Sequence, residues 1–195
     1  MKLLSLCEII FRCVLFALAI YHIYKREYKL MKSVILVFAL SFLPELLHAV
    51  FQIQVDAFSI LVYLIIIFMA LYLGSSFQFY DKYKWWDRSI HFLSGVGFVG
   101  FGIAIAGIGS DIIKLVILLF GFTFSITLHV FWEVLEYITD CIFHGNAQRW
   151  QKVHASINHV SEKAIQPAGL VDTMNDMICC IVGAGLTILV WWFII

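Results

Sequence analysis

Four ionisable side chains, His129, Glu133, Glu136 and Asp140, stand at offsets of 0, 4, 7 and 11 in the stretch His129-Val-Phe-Trp-Glu133-Val-Leu-Glu136-Tyr-Ile-Thr-Asp140. At about 100° per residue they share an arc of about 60°, one narrow stripe of a helix. The stretch closes an apolar run that begins at Ile112. In lipid each ionisable group is costly and faces a protein interior or a water-filled cavity. Carboxylates near a helix C-terminus, where the dipole already gathers partial negative charge, need a cation close by. A basic side chain or a metal ion could be that cation.

Two further stripes have the same character. Asp87, His91 and Ser94 recur at offsets of 0, 4 and 7, and Asp172, Asn175 and Asp176 open the last apolar stretch. Mixed carboxylate and imidazole ligands suit a divalent metal, and softness does not choose among magnesium, manganese, iron and zinc. The ligand set read from the sequence is Glu133, Glu136, Asp172, Asp176, His91 and His129. Asp87, His91, Glu133 and Glu136 are the candidate catalytic groups. The Glu-x-x-His signature of carboxylate-bridged di-iron bundles is absent from span five. Asp87 and Asp172 could instead cap helices, and Asn175 could bridge two helices. Capping accounts neither for Asp176 and His91, a turn further in, nor for the acids after His129. No Ser–His–Asp order, P-loop, Cys-x-x-Cys or nucleotide fingerprint is present.

The elements that must position these groups are membrane helices. Hydrophobic residues make up 63% of the 195, charged residues only 13%, and the mean hydropathy is +0.96, which excludes an ordinary soluble domain. About 20 apolar residues cross a bilayer. Six stretches qualify, at about 3–24, 31–53, 57–74, 87–108, 112–140 and 171–194, and predict an all-α bundle of six transmembrane helices in one membrane domain, 1–195. Basic and acidic residues number thirteen each, so no nucleic acid or other polyanion is indicated. The five cysteines show no paired metal spacing and no disulfide framework.

Ten of the thirteen basic residues fall in or beside loops one, three and five. The positive-inside rule places those loops in the cytoplasm and both termini outside. All three polar stripes then lie at one depth, near the cytoplasmic face. Loop five carries apolar residues every three or four positions over 147–163, the pattern of an amphipathic helix lying on the membrane surface. Arg88, Arg149 and Lys152 are the candidate headgroup-binding residues. His144, His154 and His159 lack a compelling metal spacing. Elsewhere, Glu8 and Arg12 form an i,i+4 pair, and Pro44 predicts a kink beside Glu45 and His48, which are read either as a buried pair or as a polar path.

The succession Tyr80-Asp-Lys, Trp86-Asp87-x3-His91, Trp132-Glu133-x2-Glu136 and Asp172-x3-Asp176, followed by Gly183, resembles the YjdF-type bacterial inner-membrane proteins. It is more distantly similar to the VanZ-like family, whose members show an Asp-x3-His, then a Glu, then Asp residues opening a last helix. The resemblance covers about residues 72–190. It implies a small multi-pass protein of the bacterial cytoplasmic membrane and, for the VanZ-like group, a link to glycopeptide resistance. This chain has Glu136 where VanZ-like members commonly show Gln.

Two functions fit these residues. The first is a metal-dependent membrane enzyme acting on a lipid or polyprenyl phosphate, the ion binding phosphate oxygens and a carboxylate or His91 serving as base. The second is a transport or antimicrobial-resistance protein that binds a lipid or drug headgroup, or relays protons, without catalysis. A structural membrane protein with a buried polar network is the third reading. The topology is testable at once: in a chain otherwise free of cysteine, Trp150→Cys should resist a membrane-impermeant thiol reagent in intact cells and react after permeabilisation. Labelling in intact cells reverses the orientation.

Overall fold

With no water in the hydrocarbon core, a spanning segment must satisfy its own backbone, and a helix does so within one strand of chain. The structure is a computed structural model that describes residues 2–107, 113–144, 148 and 167–195, and their regular structure is entirely helical. The helices are α1 (Lys2–Lys25), α2 (Tyr28–Leu40), α3 (Leu43–Phe51), α4 (Ala57–Ile67), α5 (Phe79–Lys82), α6 (Trp86–Ala106), α7 (Lys114–Phe143) and α8 (Ala168–Ile194). A π-helical segment, Phe68–Gly74, extends α4. Among the described residues six spans are long and apolar enough to cross a membrane, with α2 and α3 forming the second and α4 and the π segment the third. The surface helix expected over 147–163 lies outside the described residues, apart from Gln148.

Helix α6 is the hub, packed against α8, α7 and α4, while α1 packs on α2. One apolar cluster joins α1, α2, α4 and α6 through Leu15, Val34, Val37, Tyr63 and Phe101. A second joins α6, α7 and α8 through Val99, Ile103, Leu118 and Ala184. The glycines of α6 face its neighbours. A Cβ on Gly95 would stand 2.2 Å from the Cys180 carbonyl oxygen, and one on Gly183 would stand 2.3 Å from that of Phe92. Small residues in this role are what helix association in lipid requires.

The second span breaks where Pro44 predicts it. Proline has no N–H, so the Leu40 carbonyl four residues earlier loses its helical donor. The Tyr63 hydroxyl replaces it, donating to Leu40 O at 3.0 Å. Arg12 serves the next carbonyl: Nη2 donates to Ser41 O at 2.7 Å and Nε to Ser41 Oγ at 3.2 Å. The same guanidinium pairs with Glu45. This corrects the sequence expectation twice. Arg12 reaches across to α3 rather than closing on Glu8, because the kink offers it both a bare carbonyl and a carboxylate. Glu45 and His48 form no buried pair, since both are exposed and Glu45 is held by Arg12.

Tyr63→Phe strips the Leu40 carbonyl of its donor and should cost about 1–3 kcal/mol, read by denaturant titration in detergent. With Pro44→Ala in place, residue 44 regains its N–H, and the added cost of Tyr63→Phe should fall towards zero. An undiminished cost in the double variant refutes the kink assignment.

Candidate metal centre

Two i,i+4 pairs face each other across the α6–α7 interface. On α6, Asp87 Oδ1 lies 3.3 Å from His91 Nε2. On α7, Glu133 Oε1 lies 3.6 Å from His129 Nε2. The pairs join through the imidazoles, with Nδ1 of His91 3.2 Å from Nδ1 of His129 and the rings meeting edge to face at 80°. His91 Nδ1 is also 4.0 Å from Glu133 Oε1. Asp176 of α8 approaches from the third side. Among the described residues two sets of ligand atoms lie within 4.8 Å of one another inside each set, His91/His129/Glu133 and Asp87/His91/Asp176. Every member of both sets is buried.

The cluster begins near the start of α6, where Asp87 is the second residue. His91 is the sixth residue of α6 and Asp176 the ninth of α8, which puts them about 8 and 12 Å along their helices. Relative exposure is 4% for His91 and Asp176, 5% for His129 and 6% for Glu133. Three of their atoms have no hydrogen-bond partner among the described residues: His129 Nε2, Glu133 Oε1 and Asp176 Oδ1. Buried polar atoms are normally paired, and an orphan signals a missing water or ion. His129 and Glu133 belong to the first set and Asp176 to the second, so each set includes a residue with an unpaired nitrogen or carboxylate oxygen of the kind that ligates a divalent cation.

The remaining sequence candidates take other places. Glu136 is half-buried, accepts a hydrogen bond from Trp132 Nε1 at 2.7 Å, and belongs to neither ligand set. Asp172 is half-buried, one turn nearer the start of α8 than Asp176, and is in neither set. Asp140 is buried and accepts the Gln148 N–H at 3.0 Å. Arg88 is exposed. Arg149 and Lys152, with His154 and His159, lie outside the described residues.

A single cavity shared by Asp87, His91, Glu133, Glu136, Asp172 and Asp176 is expected from the stripes. Among the described residues two adjoining cavities border part of this set instead, and Glu133, Asp172 and Asp176 line neither. One of about 390 Å³ has Asp81, Asp87, Glu136 and Thr139 in its walls. The other, of about 470 Å³, is lined by apolar residues of α2, α4, α6 and α7 and reaches His91 and His129. Tyr80 and Trp132 line both, and the Trp132–Glu136 bond fixes one of these two side chains. The π segment supplies Ala70 and Leu71 to both walls. π-Helical turns are frequent at functional sites. Its last residue, Gly74, leaves room for the Tyr80 ring, which a Cβ there would meet at 2.4 Å. Sequence reading missed Tyr80 and Trp132 as site residues. The i,i+4 spacing of Trp132 and Glu136 was the available signal.

Among known families, the one described as "Predicted membrane protein (DUF2238)" matches residues 6–195. No curated protein and no solved structure matches the chain.

Glu133→Gln removes a buried charge at nearly constant volume. Without metal, the variant should be as stable as the parent or more so, because an uncompensated buried carboxylate is costly. Its affinity for a divalent ion should fall by about 10–100-fold or more, measured by calorimetric titration. A variant that unfolds in detergent without metal would make the carboxylate structural.

Proposed function

The chain belongs to the DUF2238 family of predicted membrane proteins, and from that premise we propose that it is a divalent-metal-dependent membrane enzyme acting on the headgroup of an amphiphile, with lipid and polyprenyl phosphates as the substrate class. The observation that carries this reading is the convergence of three unpartnered buried atoms, His129 Nε2, Glu133 Oε1 and Asp176 Oδ1, beside His91.

In this reading His91, His129 and Glu133 hold the ion. When bound, it supplies Lewis-acid stabilisation of charge developing on a phosphoryl oxygen. Asp87 orients the His91 ring from the Nε2 side. The apolar cavity seats the hydrocarbon chain, and Tyr80 and Trp132 bound the place where chain and headgroup meet. Glu136, in the wall of the cavity that holds Asp81 and Asp87 and held by Trp132, is positioned as general base, a role typically worth 10²–10⁴-fold in rate. By the loop charges the site faces the cytoplasmic leaflet of a bacterial inner membrane. Arg88, Arg149 and Lys152 would attract an anionic headgroup there.

One observation favours a second reading. Asp87, His91, His129 and Glu133 form an unbroken chain of contacts at 3.3, 3.2 and 3.6 Å, which is the form of a proton relay in a transport or resistance protein.

Protein purified in lipid nanodiscs decides between them. The enzyme reading expects tightly held zinc or manganese, and release of inorganic phosphate from a polyprenyl phosphate that chelation abolishes. Glu136→Gln should lower that rate about 10²–10⁴-fold while metal is retained. Folded protein that holds no metal and releases no phosphate, yet conducts protons in vesicles, would replace the enzyme with the relay.

A further inference from the structure

Resting on the metal-centre reading, we propose that the cluster is a two-ion centre with His91 as the bridging ligand, one divalent cation bound on each edge of its ring. The ligand sets His91/His129/Glu133 and Asp87/His91/Asp176 have His91 alone in common. Its two nitrogens address different sets. Nδ1 is the atom near His129 and Glu133, at 3.2 and 4.0 Å, and Nε2 is the atom near Asp87, at 3.3 Å. An ion at the first set leaves Asp176 Oδ1 unsatisfied, because Asp176 belongs to the second.

Charge points the same way. Asp87, Glu133 and Asp176 are all more than nine-tenths buried, and three carboxylates exceed what one divalent ion neutralises. A buried ion left uncompensated costs several kcal/mol. Two divalent ions match the charge of the three carboxylates together with the imidazolate that bridging makes of His91. Binding on both edges releases the ring proton of His91 to solvent.

The two positions differ in ligand chemistry and in surroundings. The first has two imidazoles and one carboxylate, a set suited to zinc or iron. It adjoins the apolar cavity, which reaches His91 and His129. The second has two carboxylates and one imidazole, closer to a manganese or magnesium site, and adjoins the other cavity through Asp87. The first position therefore borders the apolar cavity and the second the cavity that holds Asp81 and Asp87.

Full-length protein in detergent, saturated with manganese or zinc chloride and desalted, should retain two ions per chain by elemental analysis. His129→Gln and Asp176→Asn should each retain one, and His91→Gln fewer than one. A second measurement needs no variant. Titration of the unaltered protein with copper(II) should give a paramagnetic resonance signal that grows through the first equivalent and declines through the second, as two ions couple through a shared ring. One ion per chain, lost in His129→Gln and kept in Asp176→Asn, overturns the bridge and leaves the proposed function standing. So does a copper signal that grows steadily through two equivalents. No retained ion at all removes both.

Discussion

Backbone-to-backbone contact between α6 and its neighbours is the constraint on which the site depends. Lipid gives two apolar helices no hydrophobic reason to associate, so association rests on van der Waals contact at short range. Gly95 and Gly183 provide it reciprocally, each letting the other helix's carbonyl approach where a side chain would stand. Gly102 and Gly121 do the same between α6 and α7, since a Cβ on Gly102 would lie 2.7 Å from the Gly121 Cα. His91 lies one turn before Gly95, and Asp176 lies two turns before Gly183. Separation of α8 from α6 by one methyl group would move Asp176 away from His91 by a distance comparable to a coordination bond.

Hydroxyl groups complete that interface. Ser125 Oγ donates to the Gly95 carbonyl at 3.1 Å and Ser94 Oγ to the His91 carbonyl at 2.7 Å, and both serines are buried. Such bonds reuse backbone acceptors already engaged in helices, so they add contact without leaving a polar group bare. In the His91 cluster the unpaired atoms are His129 Nε2, Glu133 Oε1 and Asp176 Oδ1. A membrane interior tolerates few such atoms, and this bundle gathers three of them in one place.

Much of this was legible in the sequence because helical periodicity is local. The offsets of Asp87 from His91 and of His129 from Glu133 fix each pair on one face, and hydropathy placed the six spans. The register between helices was not legible. Glu136 shares the stripe but turns towards the cavity: it sits at the edge of the arc nearer Trp132, about 60° from Glu133. Arg12 could be matched to Glu8 by spacing alone, and only the packing of α1 on α2 reveals Ser41 and Glu45 as its partners. The π segment left no mark in the uniformly apolar run from Ala57 to Gly74.

The kink at Pro44 bears on how the protein is made. Its two relieving groups come from opposite directions along the chain, Arg12 from the span before and Tyr63 from the span after. A ribosome delivers them in that order. When the second span enters the bilayer, Arg12 is already present to cover Ser41, but Leu40 has no donor until the third span arrives. The first three spans therefore reach a fully satisfied state as a hairpin-and-a-half rather than helix by helix. The insertion machinery must shelter one bare carbonyl for the time needed to synthesise some twenty residues.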